Sequence, residues 1–200
     1  MSALIDPQYE NVGSGKLDLF DELLAEALES DQKVVVFSQY AKMINRLSKR
    51  LTAKNISHVT LTGQTQNRGR IVKQFQEDNN IKVFLGSLLA GGTGIDLTAA
   101  NIVIHFDRWW NAAKEDQATD RIHRIGQVKN VQVYKLITKG TLEERIDGII
   151  SRKKLIFERF VEQDEEVFKH LSREDLLQLL TAPIDDEQKY DLTAEPEDKF

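Results

Sequence analysis

Apolar residues follow two alternating patterns along the chain. Short strand-like segments fall at 33–37, 58–61, 81–85, 101–106 and 131–137, the first with a continuous apolar run of the kind that fills a buried parallel strand. The first of them contains Val34-Val35-Val36-Phe37. Between the segments the spacing becomes helical. Leu17, Phe20, Leu24 and Leu28 mark one helix, up to Ser30, with Ser14 placed to cap it. Met43, Ile44, Leu47 and Leu51 mark a second, Ile71, Val72 and Phe75 a third, and 114–123 a fourth. Strand–helix alternation with short connections predicts an α/β domain: an open, mostly parallel sheet with helices on both faces. A long helix is expected over 141–160, carrying Leu142, Ile146, Ile149, Ile150 and Ile156, and a short one over 172–180. The expected organisation is a linker at 1–13, the α/β domain at 14–140, a helical extension at 141–182 and an acidic, disordered tail at 183–200.

Such sheets bind ligands and partners at the carboxyl ends of their strands. Here those ends carry Ser38-Gln39, Thr62-Gly63, the loop Gly91-Gly92-Thr93-Gly94, and Asp107-Arg108-Trp109-Trp110. Composition narrows the chemistry. The chain has no cysteine, which excludes disulfides, thiolate metal sites and a cysteine nucleophile. Its histidines (His58, His105, His123 and His170) are scattered, so no metal site is expected. No apolar run approaches the ~18 residues of a membrane span, and the N-terminus does not read as a signal peptide.

The net charge of −5 argues weakly against nucleic acid, but its distribution reverses that. Residues 1–32 carry one positive and eight negative charges (−7), residues 161–200 four and thirteen (−9), and residues 33–160 twenty-two and eleven (+11), which sum to −5. A basic centre between acidic ends suits a nucleic-acid site.

Two look-alikes can be discarded. Gly13-Ser14-Gly15-Lys16 resembles the end of a phosphate loop, but Glu10 and Leu17 stand where that loop needs Gly and Ser or Thr. Leu19-Phe20-Asp21-Glu22 mimics a strand ending in a magnesium-binding acidic pair. Its periodicity continues as a helix, so Asp21 and Glu22 are expected on a solvated face. Neither the phosphate cradle nor the magnesium carboxylate of a nucleotide hydrolase is therefore found in the sequence.

The most specific segment is Gln117-Ala118-Thr119-Asp120-Arg121-Ile122-His123-Arg124-Ile125-Gly126-Gln127. Arginines three apart at a helix end share one face, and the planar guanidinium fork matches phosphate oxygens. Surface ion pairs with Asp116 or Asp120 are the bland alternative. In Gly91-Gly92-Thr93-Gly94-Ile95-Asp96, glycines let backbone N–H groups approach a phosphate, and Asp96 could accept hydrogen bonds from a ribose. A plain turn explains that loop equally well.

Taken in order, with Val35 to Tyr40, Leu61-Thr62-Gly63 and Val133 to Ile137, these segments resemble the second RecA-like lobe of superfamily-two helicases. More narrowly they resemble the Swi/Snf class of DNA-translocating ATPases, through Asp107-x-x-Trp110-Asn111 and the Gln117-to-Gln127 run. The resemblance covers roughly 14–160, and the compact spacing looks bacterial. It implies half of a motor that hydrolyses ATP and moves on double-stranded DNA. ATP and Mg²⁺ would be held mainly by an N-terminal RecA-like lobe of the same polypeptide, absent from this chain, which would be inactive alone.

The resemblance also implies residue roles. Arg121 and Arg124 match arginine fingers, and Gln117 a residue linking nucleotide state to closure. Gly94 and Asp96 match nucleotide contacts. Ser38, Gln39, Thr62, Gly63, Ser87, Gly91 and Gly92 match positions facing DNA or the cleft, and Trp110 and Asn111 a motif coupling the two sides. The helix after Thr141 resembles a brace. Leu89 stands where a cation is common, and Arg108 and Ala112 replace prolines. Cytoplasmic, nucleoid-associated localisation is implied for a bacterial protein and nuclear for a eukaryotic one, with transcription or nucleoid machinery as further partners and no membrane. The alternative is a non-catalytic DNA- or protein-binding module on the same fold.

Overall fold

In the computed structural model, residues 14–87, 95–109, 112–124, 127 and 129–161 are described. Ten elements follow in the order α1 (Gly15–Glu29), β1 (Val34–Ser38), α2 (Ala41–Ala53), β2 (His58–Leu61), α3 (Arg68–Glu77), β3 (Val83–Ser87), β4 (Ile102–His105), α4 (Ala112–Thr119), β5 (Gln132–Lys135) and α5 (Leu142–Val161). The strands form one sheet in the order β2-β3-β1-β4-β5, and every pairing is parallel. This is the open parallel α/β sheet expected from the alternation, and it has the RecA-like architecture that the resemblance implies. The expected helix at 172–180 and the tail lie outside the described residues.

The central position of β1 explains its unbroken apolar run, because all five of its residues are buried. Successive side chains of a strand point to opposite faces. Val34 and Val36 therefore join Val83, Leu85, Ile102 and Ile104 in a cluster with Leu17, Phe20 and Leu24 of α1 and Ile44, Leu47 and Leu51 of α2. Val35 and Phe37 join Phe84, Val103, Phe75 of α3 and Ala118 of α4 on the other face. Gly86 of β3 is confined between aromatic rings. A Cβ there would lie 3.0 Å from the Phe84 ring and 3.1 Å from the Phe37 ring.

Local details refine the helices. Ser14 does occupy the N-cap of α1, but through its carbonyl, which accepts Leu17 N–H at 2.8 Å, while its hydroxyl makes no cap bond. Lys16 belongs to the first turn of α1 and pairs with Glu143. Asp21 is not the solvated carboxylate expected from the sequence. It is half-buried and binds Arg50 of α2 and Lys54, which caps the C-terminus of that helix. Burial raises its pKa, but the Arg50 and Lys54 cations outweigh that and hold it below the usual carboxylate value. Lys33 is buried and donates to the carbonyls of Phe75 and Asp78 at the end of α3, where the helix dipole favours a cation.

α4 begins earlier and ends sooner than the sequence pattern suggests. It stops at Thr119, so Arg121 and Arg124 lie on the turns after it and not on one helix face. The chain divides into compact units between Asp147 and Gly148, within α5. Among the described residues no helix is long and apolar enough to cross a membrane.

Candidate functional site

Because the sheet is wholly parallel, the carboxyl ends of β1, β2, β3 and β4 lie along one edge. The chain leaves β1 toward β2 on one side and leaves β4 toward β5 on the other. Strand order thus reverses between β1 and β4, which is where open α/β sheets form their binding crevice. Ser38 is fully buried there, and its hydroxyl donates to the Asp107 carboxylate. Gln39 N–H donates to the other oxygen of Asp107 at 2.9 Å, and Gln39 Nε2 donates to the Arg108 carbonyl at 3.0 Å. Burial pushes the Asp107 carboxyl up, against the Gln39 and Ser38 bonds that pull it down.

A second cluster lies beside this seam. Arg108 is 2% exposed and pairs with Glu115 of α4 and, at 3.0 Å, with Asp147 of α5. Glu115 is fully buried and also lies 3.2 Å from Lys135 Nζ at the end of β5. Its other oxygen accepts Trp109 N–H at 2.8 Å. His105, fully buried at the end of β4, lies 3.0 Å through Nε2 from the Thr119 hydroxyl, while its Nδ1 has no partner. Burial, then the Lys135 and Arg108 charges, push its pKa down to about 3.

The Gln117–Gln127 segment is tied to the residues that follow the glycine loop. Arg121 carbonyl accepts Leu97 N–H at 2.9 Å, and Gln127 Nε2 donates to the carbonyls of Thr98 and Ala100 at 3.1 and 2.6 Å. Arg124 pairs with Asp96, not with Asp116 or Asp120, and both side chains are about half exposed, 49% and 55%. Arg121 is buried and Gln117 is exposed on α4. Thr62 and Gly63 form the turn after β2, where Thr62 N–H donates to Thr65 Oγ1 at 2.8 Å and the Gly63 carbonyl accepts from Arg68. Ser87 ends β3 and is buried. Leu89, Gly91, Gly92, Gly94, Trp110 and Asn111 lie outside the described residues.

Sequence reasoning brought Asp96 and Arg124 forward separately but missed that they pair. It also missed Glu115, Lys135 and Asp147 altogether. Their one signal was Arg108, a charge directly after an apolar strand where the related motif has proline.

Sheet order and crevice are those of a RecA-like lobe. The helicase conserved C-terminal domain family matches residues 15–126, more than half of the chain, and the chain belongs to that family. An uncharacterised ATP-dependent helicase of Mycoplasma genitalium is 45% identical over 159 residues, 78% of this chain and 15% of that protein. The chromatin-remodeling ATPase INO80 of Neurospora crassa is 46% identical over 135 residues, 66% of this chain and 7% of that protein. Among solved structures, the SWI2/SNF2 ATPase core of Sulfolobus solfataricus in complex with double-stranded DNA is 37% identical with a TM-score of 0.61. That match covers 86% of this chain and 36% of the solved one. The chain thus spans less than a fifth of the length of these curated relatives.

Proposed function

We propose that this chain is the second motor lobe of an ATP-driven translocase on double-stranded DNA. The observation that carries the reading is the joining of 96–100 to 121–127 by the Arg121–Leu97, Gln127–Thr98 and Gln127–Ala100 bonds and the Arg124–Asp96 pair. It brings Asp96 and Arg124, both expected to face nucleotide, together, with the Arg121 backbone tied beside them, and so supports the reading.

ATP and its Mg²⁺ would sit on a first lobe carrying the phosphate loop. As the cleft closes, Arg124 exchanges Asp96 for phosphate oxygens, to which its planar fork is matched, and Asp96 becomes free for ribose hydroxyls. Arg121 supplies the second guanidinium, and Gln117 senses closure. Gly94 and the preceding glycines approach phosphates through backbone N–H groups. Gln39, Thr62, Gly63, Trp110 and Asn111 face DNA phosphates, and Ser38 shapes that surface through Asp107. Such contacts carry no sequence information, and binding should weaken steeply with salt.

The test measures ATP turnover, DNA affinity and melting temperature on the same variants of the two-lobed protein. Arg124→Ala and Arg121→Ala should each cut DNA-stimulated turnover sharply, up to the about 10³–10⁵-fold typical of arginine fingers, with DNA affinity little changed. Lys should not restore either. Normal turnover in a folded double variant would overturn the assignment and leave a binding module as the reading. Arg121 is buried, so a loss of turnover in Arg121→Ala that tracks a lower melting temperature would make that residue structural instead. The 200-residue chain alone should release no phosphate from ATP. Release above a heat-inactivated control, abolished by Arg121→Ala, would contradict that.

A further inference from the structure

The Arg108 cluster has no part in the proposed contacts to nucleotide or DNA, yet it stands between them. On one side, Arg108 and Trp109 immediately precede Trp110 and Asn111 in the chain. On the other, Glu115 sits on α4, two residues before Gln117, and α4 leads directly into the turns bearing Arg121 and Arg124. Glu115 joins them at both oxygens, accepting Trp109 N–H with one and pairing with Arg108 and Lys135 through the other. Arg108 uses its second terminal nitrogen on Asp147, and its carbonyl holds Gln39 Nε2. One side chain and its backbone therefore touch the β1 crevice, Trp109, α4 and the first turns of α5.

The cluster is a poor way to gain stability alone. Ions taken out of water recover their solvation only where geometry is very good, and a well-packed apolar pair often does as well. Here Arg108 Nε is buried with no hydrogen-bond partner among the described residues. What four charges of fixed geometry do provide is a defined relative position, because a guanidinium fork between two carboxylates tolerates little rotation.

We propose that Arg108 is a positioning residue that, through Glu115, locks the chain at Trp109 to α4, so that the DNA side and the nucleotide side of the lobe move as one body. The coupling rests on the proposed motor function; the locking at Trp109 does not.

The two parts can be tested apart. The chain's two tryptophans are Trp109 and Trp110, so its tryptophan emission reports on this stretch of chain. In the 200-residue chain, Arg108→Met should shift emission to the red and raise acrylamide quenching about twofold, with the far-ultraviolet circular dichroism of the parent retained. Arg108→Lys, which can serve one carboxylate but not both, should fall between. If Arg108→Met does not fold, the double variant Arg108→Met/Glu115→Met removes both partners and is measured instead. Parent-like emission and quenching in a folded variant would overturn the locking.

In the two-lobed protein, the same variant should keep its DNA-independent ATP turnover within about twofold and lose at least tenfold of the DNA-stimulated part. Equal loss of both, in step with melting temperature, would reduce Arg108 to a structural residue. A parent that shows no DNA-stimulated turnover would sink the motor function while leaving the fluorescence result standing.

Discussion

Arg108 and Arg124 are both paired with carboxylates, but in opposite surroundings. Arg108 is buried against the fully buried Glu115, whereas Arg124 meets Asp96 where both side chains are about half exposed. Coulomb attraction at a given distance is several-fold stronger in the protein interior than in water, but so is the cost of leaving one partner behind. The buried pair therefore holds a shape and resists exchange. The exposed pair costs little to break, which is what a residue needs if it is to leave one anion for another. On the proposed function, the buried pair suits a positioning arginine and the exposed pair one that changes partners.

The largest test of this contrast removes a buried partner. Glu115→Ala leaves Arg108 with Asp147 only and Lys135 with no carboxylate from this cluster. Breaking a buried pair this way costs about 3–5 kcal/mol, or roughly 10 °C of melting temperature for a domain of this size. A drop of only a degree or two would mean that the cluster is wetter than it looks.

Acid should break the same region by another route. His105 sits among the cluster's cations, and its folded pKa is about 3 against 6.5 for the free side chain. Its contribution is whole above pH 6.5 and is lost as pH falls toward 3, because the unfolded chain takes up a proton that the folded chain refuses. Between pH 6.5 and 4 this amounts to about 3 kcal/mol. Asp107 works in the opposite direction. Its raised pKa favours the fold below 3.8 and the gain is lost as pH rises through its folded value. Urea titrations of the parent and His105→Gln across that range isolate the histidine, and the variant should give the flatter profile. Parallel profiles would place the acid sensitivity elsewhere.

A middle case sharpens the comparison. Asp21 is half-buried between Arg50 and Lys54, so Asp21→Asn should cost about 1 kcal/mol, above the median for exposed pairs. Its carboxylate contributes above pH 3.8, and the contribution disappears as pH falls through its lower folded value. The smallest effect belongs to Arg124→Ala. It should change unfolding free energy by less than about 0.5 kcal/mol, in the same protein whose ATP turnover it is expected to disable. A stability loss comparable to that of Glu115→Ala would make Arg124 structural.

Much of the fold was legible because its signals are local. The five expected strands formed within a residue or two; β1, β3 and β4 are buried throughout, as a largely apolar stretch demands, whereas the edge strands β2 and β5 are partly exposed. The helix registers of Leu17, Phe20 and Leu24 and of Ile44, Leu47 and Leu51 appear directly as buried faces. The end of α4 was not legible. Periodicity continues through Ile122, which is buried in the core, yet the chain reaches it through turns in which Ile122 N–H bonds to the Thr119 carbonyl.

By itself the sequence determined the alternation of elements, the edge on which the chemistry-bearing segments lie, and the residue types available there. Only the tertiary structure decided partnerships. Ser38 meets Asp107 because β4 lies beside β1, a neighbour 69 positions away in the chain. Arg124 meets Asp96, and not the nearer Asp120, because the turns after α4 are bonded to Leu97. Arg108, a departure from proline when the chain is read as a string, becomes the centre of a four-charge cluster around a buried Arg108–Glu115 pair only once β4, α4, β5 and α5 converge. Local pattern reports what one segment must bury. Which charges then share the buried space is set by strand order, a property of the whole chain.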